Sequence, residues 1–265
     1  MVGRIRTGIG GWTFEPWDES FYPASLPKKR QLEHASRQLT AIEVNGTYYS
    51  SQKPATFAKW ASEVPEDFIF SLKASRYCTN RKVLAEAGPS IEKFLNQGIA
   101  ELGGHLGPIL WQFMPTKKFE PEDFEAFLQL LPKTLEGLPL RHVVEPRHES
   151  FLSPDFISLL RRHNVAAVCA DHHDYPMFPD VTADFVYARL QKGEDEIKTC
   201  YPEAEVDLWA KRLKSYAEGQ AADDLPLIAR DAPAAPGPRD VFAFFITGGK
   251  VNAPHGARLL QERVN

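Results

Sequence analysis

The chain of 265 residues is short of cysteine, of surplus basic charge and of long apolar runs, and each shortage removes a class of protein. Its three cysteines, Cys78, Cys169 and Cys200, are odd in number and widely spaced. Such a pattern indicates neither a disulfide framework nor a zinc site, so three reduced thiols in a cytoplasmic protein are expected. No apolar stretch nears the ~20 residues that cross a bilayer, so no membrane span is expected. The opening M-V-G-R-I-R-T-G-I-G carries no apolar signal core followed by a small-residue cleavage site. Lys and Arg together number 31 against 35 Asp and Glu, a net charge of −4, which leaves no overall basic footprint for nucleic acid. A locally basic pocket remains open. Also missing are a G-x-G-x-x-G after the first strand-like run, a G-x-x-x-x-G-K-[ST] loop and any repeat of fixed period. No stretch reads as a linker, and nothing points to a particular oligomeric state.

What is present is an ordinary globular composition, 43% hydrophobic and 25% charged, over a length that suits one large core or two small ones. Eight short apolar runs read as strands, at residues 4–9, 41–45, 68–73, 107–113, 141–145, 166–170, 185–190 and 241–246. Helical patterns lie between them at 27–38, 54–63, 89–102, 121–131, 154–163 and 205–218, with a last one at 253–264. The Pro/Ala/Gly tract 232–238 reads as an exposed loop. Strands alternating with helices or long loops make a parallel sheet with crossovers. At this length the pattern predicts an α/β fold, a single (β/α)8 barrel over residues 1–265. The aromatic-rich loop W-T-F-E-P-W-D-E-S-F-Y-P after the first strand would either cover one end of the barrel or line a pocket.

The run R-H-V-V-E-P-R-H-E-S, from Arg141 to Ser150, is the most informative. A buried strand that stops at Pro146 delivers Glu145, Arg147, His148 and Glu149 at its end, which is costly unless those groups are paired or used. Taken alone it could be an ion pair bracing a sheet. The design recurs, however, at Trp12, at Glu43 and Asn45, at Lys73, at Gln112, at Asp171 and His172, and at Arg189. In barrels of this kind the working groups stand at the carboxyl ends of the strands, so these exits are expected to converge on one polar mouth.

The residue types allow three chemistries there. Glu145, Glu43 and Asp171 could act as general acid and base. Lys73, Arg147 and Arg189 could clamp a carboxylate or phosphate, with Trp12, Asn45, Tyr48, Gln112, His148 and Tyr187 completing a substrate site. The carboxylates with His148, His172 or His173 could hold a divalent metal, although no spacing such as H-E-x-x-H supports one, and no cofactor is otherwise indicated. The corresponding functions are a small-molecule hydrolase, lyase or isomerase acting on a polar, anionic or sugar-like substrate, a metal-assisted phosphodiester hydrolase with nucleic acid as a conceivable substrate, and a non-catalytic binder of a small polar ligand.

Six motifs then occur in order: G-I-G-G-W with W and F-Y-P after it, I-E-V-N-G-T-Y-Y, F-I-F-S-L-K-A-S, G-P-I-L-W-Q-F, V-V-E-P-R-H-E-S-F and Y-A-R-L. Together they resemble the YecE-like family, known as domain of unknown function 72, over nearly the whole chain. The resemblance implies a TIM-type barrel and carries no settled activity. Two places depart from the family pattern. Gln191 and Lys192 stand where relatives continue Y-x-R-L with His-Gly, and Thr247 and Gly248 stand where a pair of asparagines is usual.

Overall fold

The computed structural model describes residues 2–265. Eight parallel strands close into a barrel in sequence order: β1 (Ile5–Gly10), β2 (Ala41–Val44), β3 (Ile69–Lys73), β4 (Leu106–Gln112), β5 (His142–Glu145), β6 (Ala166–Asp171), β7 (Phe185–Leu190) and β8 (Asp240–Phe245), with β8 pairing back onto β1. Around it lie α1 (Gln31–Gln38), α2 (Pro54–Glu63), α3 (Gly88–Leu95), α4 (Pro121–Gln129), α5 (Pro154–His163), α6 (Glu203–Ala217) and α7 (Ala253–Val264). The connection from β6 to β7, residues 172–184, holds no helix among the described residues.

Local chemistry explains several boundaries. In α5, Ser153 caps the first turn by accepting from the Phe156 amide at 3.2 Å, and Pro154 fills the first helical position. Phe156, Ile157, Leu159 and Leu160 make its buried face. The helix stops at Asn164 in the left-handed conformation, with Arg161, Arg162 and His163 on the negative end of its dipole. The helix expected over 89–102 is instead broken. α3 ends at Leu95, and a 3-10 segment, Ile99–His105, follows Gly98 at φ +104°. A Cβ at Gly98 would stand 2.6 Å from Pro54 Cα, so glycine serves both the turn and the close approach of α2. Residues 28–30 form a 3-10 turn leading into α1, and a two-residue hairpin unforeseen in the sequence turns at Glu136 and Gly137, both at positive φ.

Two apolar layers result. Outward-facing strand residues such as Ile42, Phe70, Trp111, Val144 and Cys169 pack against the helices. Inward-facing Ala41, Leu110, Val143, Ala166, Val168, Ala170, Phe185, Phe242 and Phe244 fill the barrel. All three cysteines are free and buried, and no helix among the described residues is long and apolar enough to cross a membrane.

Candidate functional site

Strand alternation decides which side chains meet at the mouth. On β2 the inward residues run Ala41, Glu43 and then Asn45; on β3 they are Ser71 and Lys73; on β4, Leu110 and Gln112; on β5, Val143 and Glu145; and on β7, Phe185, Tyr187 and Arg189. Each of these five strands offers an apolar or small residue deep in the barrel and a polar one at its exit. β6 is different, with Ala166, Val168 and Ala170 facing inward. Ala170 is in register with Arg189, and its small side chain leaves room for the guanidinium on the barrel axis.

Arg189 is 1% exposed and joins two carboxylates that are as deeply buried, Glu43 at 0% and Glu145 at 1%. Its Nε and Nη2 donate to Glu43 Oε2 and Oε1 at 3.1 and 3.0 Å. Its Nη1 donates to both oxygens of Glu145, at 2.7 and 2.8 Å. The Tyr187 hydroxyl donates to Glu43 Oε2 at 2.8 Å and lies 2.7 Å from Ser71 Oγ, which itself donates to the Pro108 carbonyl. Asn45 Nδ2 donates to Glu43 Oε1 at 3.0 Å, and Gln112 Nε2 to Glu145 Oε2. Burial pushes the Glu145 carboxyl upward, but Arg189 first and then Arg147, with the hydrogen bonds, outweigh it and hold it at about 2. The two carboxylates raise Arg189 against its own burial, and burial followed by Glu43 raises the Tyr187 phenol. A polar network this buried is costly unless every member is satisfied, and here Glu43, Glu145 and Arg189 all are.

Two further cations border the network and are less well partnered. Lys73, 7% exposed, has no hydrogen-bond acceptor or carboxylate within bonding distance of Nζ among the described residues, and the amine sits 4.3 Å from the centre of the Tyr48 ring. Thr47 Oγ1, donating to the Lys73 carbonyl at 2.7 Å, ties the ends of β2 and β3 together beneath it. Burial, then Arg189 and Arg147, lower the Lys73 ammonium to about 8 against the opposing pull of Glu43 and Glu145. Arg147 reaches Glu145 Oε2 only at 3.4 Å, longer than a good charge-assisted bond. Its Nε is buried without a partner, and its guanidinium lies 4.3 Å from the centre of the Tyr175 ring. Tyr175 in turn stacks on His172 at 4.2 Å, which places the β6–β7 loop over Arg147.

The structure thus gathers Glu43, Asn45, Tyr48, Lys73, Gln112, Glu145, Arg147, Tyr187 and Arg189. It does not gather three other expected residues. Asp171 shares its strand face with outward-pointing Cys169, and it pairs with Lys192 at 3.0 Å instead of joining the glutamates. His148 Nδ1 accepts from the Ser150 amide and so caps the turn Glu149–Phe151. Trp12 packs edge-on against Trp60 and Phe70, between sheet and helix, and so neither covers the barrel end nor lines a pocket at the mouth. His173 is exposed. Among the described residues no three His, Cys, Asp or Glu side chains stand where they could share a metal ion, and the glutamate oxygens already face Arg189. Sequence reasoning missed Ser71 and Tyr175. Ser71 was findable, being two residues before Lys73 on one strand; Tyr175 sits in a loop with no periodicity to reveal it.

The two departures from the family pattern meet each other. Gln191 Nε2 donates to Thr247 Oγ1 at 3.3 Å, and Gly193 bridges Gly248. Gln191 Oε1 is buried without a partner on the same strand face as Arg189. A cleft of about 720 Å³ opens beside the mouth, lined by Arg81, Lys82, Met114 and Lys117 among others, and one of about 570 Å³ lies by Arg4, Arg6 and Asp67 at the opposite end. Neither is lined by the charged cluster, which meets solvent through Lys73, Gln112 and Arg147.

The family model described as "Protein of unknown function DUF72" matches residues 6–265. UPF0759 protein YunF of Bacillus subtilis (strain 168) is 26% identical over 157 residues, which cover 57% of this chain and about half, 54%, of that relative's length. Two solved DUF72 family proteins share the fold. One from Enterococcus faecalis V583 has a TM-score of 0.72 at 19% identity, covering 98% of this chain and 95% of that one. One from Thermotoga maritima MSB8 has 0.70 at 21% identity, covering 97% and 99%.

Proposed function

The chain belongs to the DUF72 family, and we propose that its barrel mouth is the site of a small-molecule enzyme acting on a polar, anionic substrate such as a sugar acid or sugar phosphate. The observation that carries this is a surplus of positive charge. Glu43 and Glu145 supply two negative charges and Arg189 is consumed between them. Lys73 and Arg147 then remain, so the five groups carry one unit of positive charge beyond balance. Lys73 has no carboxylate partner and Arg147 only a long contact to Glu145, so a bound anion would lower the cost of holding both cations there. Each cation lies against a tyrosine ring, Tyr48 or Tyr175, at 4.3 Å, a contact that does not neutralise it.

Within this reading the roles differ from those expected. Arg189 organises the two glutamates and does not clamp the ligand. Glu145, held at about 2, is a weak base at neutral pH, whereas Lys73, lowered to about 8, can exchange a proton there. Gln112 and the free Gln191 Oε1 would orient hydroxyls. The chemistry is of the hydrolase, lyase or isomerase kind, in which a proton moves without net oxidation. The non-catalytic alternative is favoured by one fact, that both buried carboxylates are already saturated.

Screening sugar phosphates, sugar acids and lactones with and without Mg²⁺, Mn²⁺ or Zn²⁺ tests for turnover, and thermal shift with inorganic phosphate tests for binding. Phosphate should raise the Tm of the wild type, and Arg147→Gln should weaken binding by roughly 1.5–3 kcal/mol, the value of a charged hydrogen bond. Binding unaffected by Arg147→Gln and by Lys73→Met would remove the proposal. Binding without turnover of any substrate would favour the non-catalytic alternative.

A further inference from the structure

We propose that Lys73 is a covalent nucleophile, forming a Schiff base through Nζ with the carbonyl carbon of a small 2-oxo acid whose carboxylate rests on Arg147. This rests on the anion-binding reading above and names the substrate class for it. Three features single out this amine. It stands at the exit of β3 and is only 7% exposed, so its contact with water is small. It donates to no carboxylate or carbonyl among the described residues, so no bond must break before it attacks. Its neighbours suit a carbonyl acid: Arg147, near enough to lower the ammonium and with an unpartnered buried Nε, and the face of Tyr48 at 4.3 Å.

The groups facing Lys73 are Glu43 from β2, Glu145 and Arg147 from β5 and the segment after it, and Arg189 from β7. Burial and the two arginines outweigh the two glutamates and bring its ammonium from 10.5 to about 8. At pH 7 the free-amine fraction is then roughly 300-fold that of an ordinary lysine, the difference of about 2.5 units taken as a power of ten. Desolvation beside other cations is the recognised way to activate a lysine for this step. The neutral amine attacks the carbonyl carbon, forming the C–N bond of a carbinolamine. The former carbonyl oxygen then leaves as water, carrying both protons of the amine, and a C=N bond remains. No oxidant or reductant takes part. The resulting imine, once protonated from solvent, withdraws electrons from the adjacent carbons, which suits the lyase and isomerase classes.

The test uses the unmodified full chain with pyruvate as probe and sodium cyanoborohydride as trap, followed by peptide mapping by mass spectrometry across pH 6 to 10. Lys73 should carry the reduced adduct at least about tenfold faster at pH 7 than an exposed lysine such as Lys28, and its labelling should half-rise near pH 8. Acetone, the neutral analogue, should label less, and Arg147→Gln should lower the pyruvate-to-acetone ratio. Labelling spread over surface lysines with no preference for Lys73, or a half-rise near the ordinary lysine value, would overturn the proposal. Equal labelling by pyruvate and acetone in the wild type would overturn it as well. Inorganic phosphate separates the two levels of the argument. A phosphate-induced Tm shift that Lys73→Met abolishes, with no Lys73 adduct, would defeat the covalent step and leave the anion site standing. Absence of any shift in the wild type would defeat the site itself.

Discussion

Replacing Glu145 by glutamine removes one buried charge while keeping the shape of the side chain, and its effect can be worked out from the site. The wild-type carboxylate accepts twice from Arg189 and is bordered by Gln112 and Arg147. These partners outweigh its burial and lower it from 4.5 to about 2. A depression of about 2.5 units is worth about 3 kcal/mol at 1.36 kcal/mol per unit. At 1% exposure, solvent screening takes little from that figure. The folded protein binds this proton more weakly than the unfolded chain, so unfolding takes up a proton between pH 4.5 and 2. The stabilisation is therefore complete above about pH 4.5 and is lost as pH falls toward 2. Urea unfolding followed by tryptophan fluorescence should show Glu145→Gln less stable by about 3 kcal/mol at pH 7 and pH 5, with the gap narrowing at pH 3. A gap of the same size at pH 3 as at pH 7 would mean that shape, not charge, had been lost. A gap below about 1 kcal/mol at pH 7 would show that the Arg189 bridge contributes little beyond its own desolvation cost.

Three other outcomes follow from residues outside that bridge. His142 Nδ1 accepts from Trp111 Nε1 at 3.1 Å and its Nε2 lies 2.7 Å from the Pro132 carbonyl, a neutral tautomer whose burial lowers the ring to about 4. Since the unfolded chain protonates first, the wild type should lose about 2 kcal/mol from pH 6.5 to 5 that His142→Gln does not, measured by urea midpoints at the two pH values. Lys73→Met should raise the Tm of the ligand-free protein at pH 7 by relieving a buried ammonium, a gain of about 1–2 kcal/mol after loss of the Tyr48 contact. The gain should fade as pH rises from 8 to 10.5, and the phosphate response should vanish with the lysine. Gly98→Ala should cost more than about 1 kcal/mol in the same denaturation assay, because φ +104° and the Pro54 contact both oppose a Cβ.

The barrel was legible in the sequence because each strand is a short run of apolar residues closed by a proline, a glycine or a charge, and all eight appear within a residue or two of their expected limits. The helices were less so. The pattern over 89–102 keeps helical spacing through Gly98, and only contact with Pro54 shows why the chain turns there. The candidate site was legible where period-two alternation applies, which is how Glu43 and Asn45, or Tyr187 and Arg189, come to face the barrel interior. It was not legible at Asp171. Standing at a strand exit gives a residue its height in the barrel, whereas its parity gives its direction, and Asp171 has the parity of Cys169. His148 and Trp12 fail for another reason. Both lie past the last paired residue of their strands, where a turn cap and an aromatic cluster compete for the side chain.

The proposed anion clamp illustrates a further limit on reading parity alone. Glu43, Glu145, Lys73, Arg147 and Arg189 can all be assigned to the mouth from sequence, so a surplus of one positive charge can be counted there. Which cation is surplus cannot be, because that depends on depth and reach. Arg189 starts beside Ala170, and its guanidinium presents three nitrogens to two carboxylates at 2.7 to 3.1 Å. A lysine in that place would offer one compact charge and could not satisfy four carboxylate oxygens in a plane. Lys73 leaves β3 two residues past Ser71, the register partner of Glu43, and its amine lies against the Tyr48 ring. Under the proposed function, the guanidinium's fork sets the division of labour, with Arg189 spent on structure and Lys73 and Arg147 the cations that would meet a ligand.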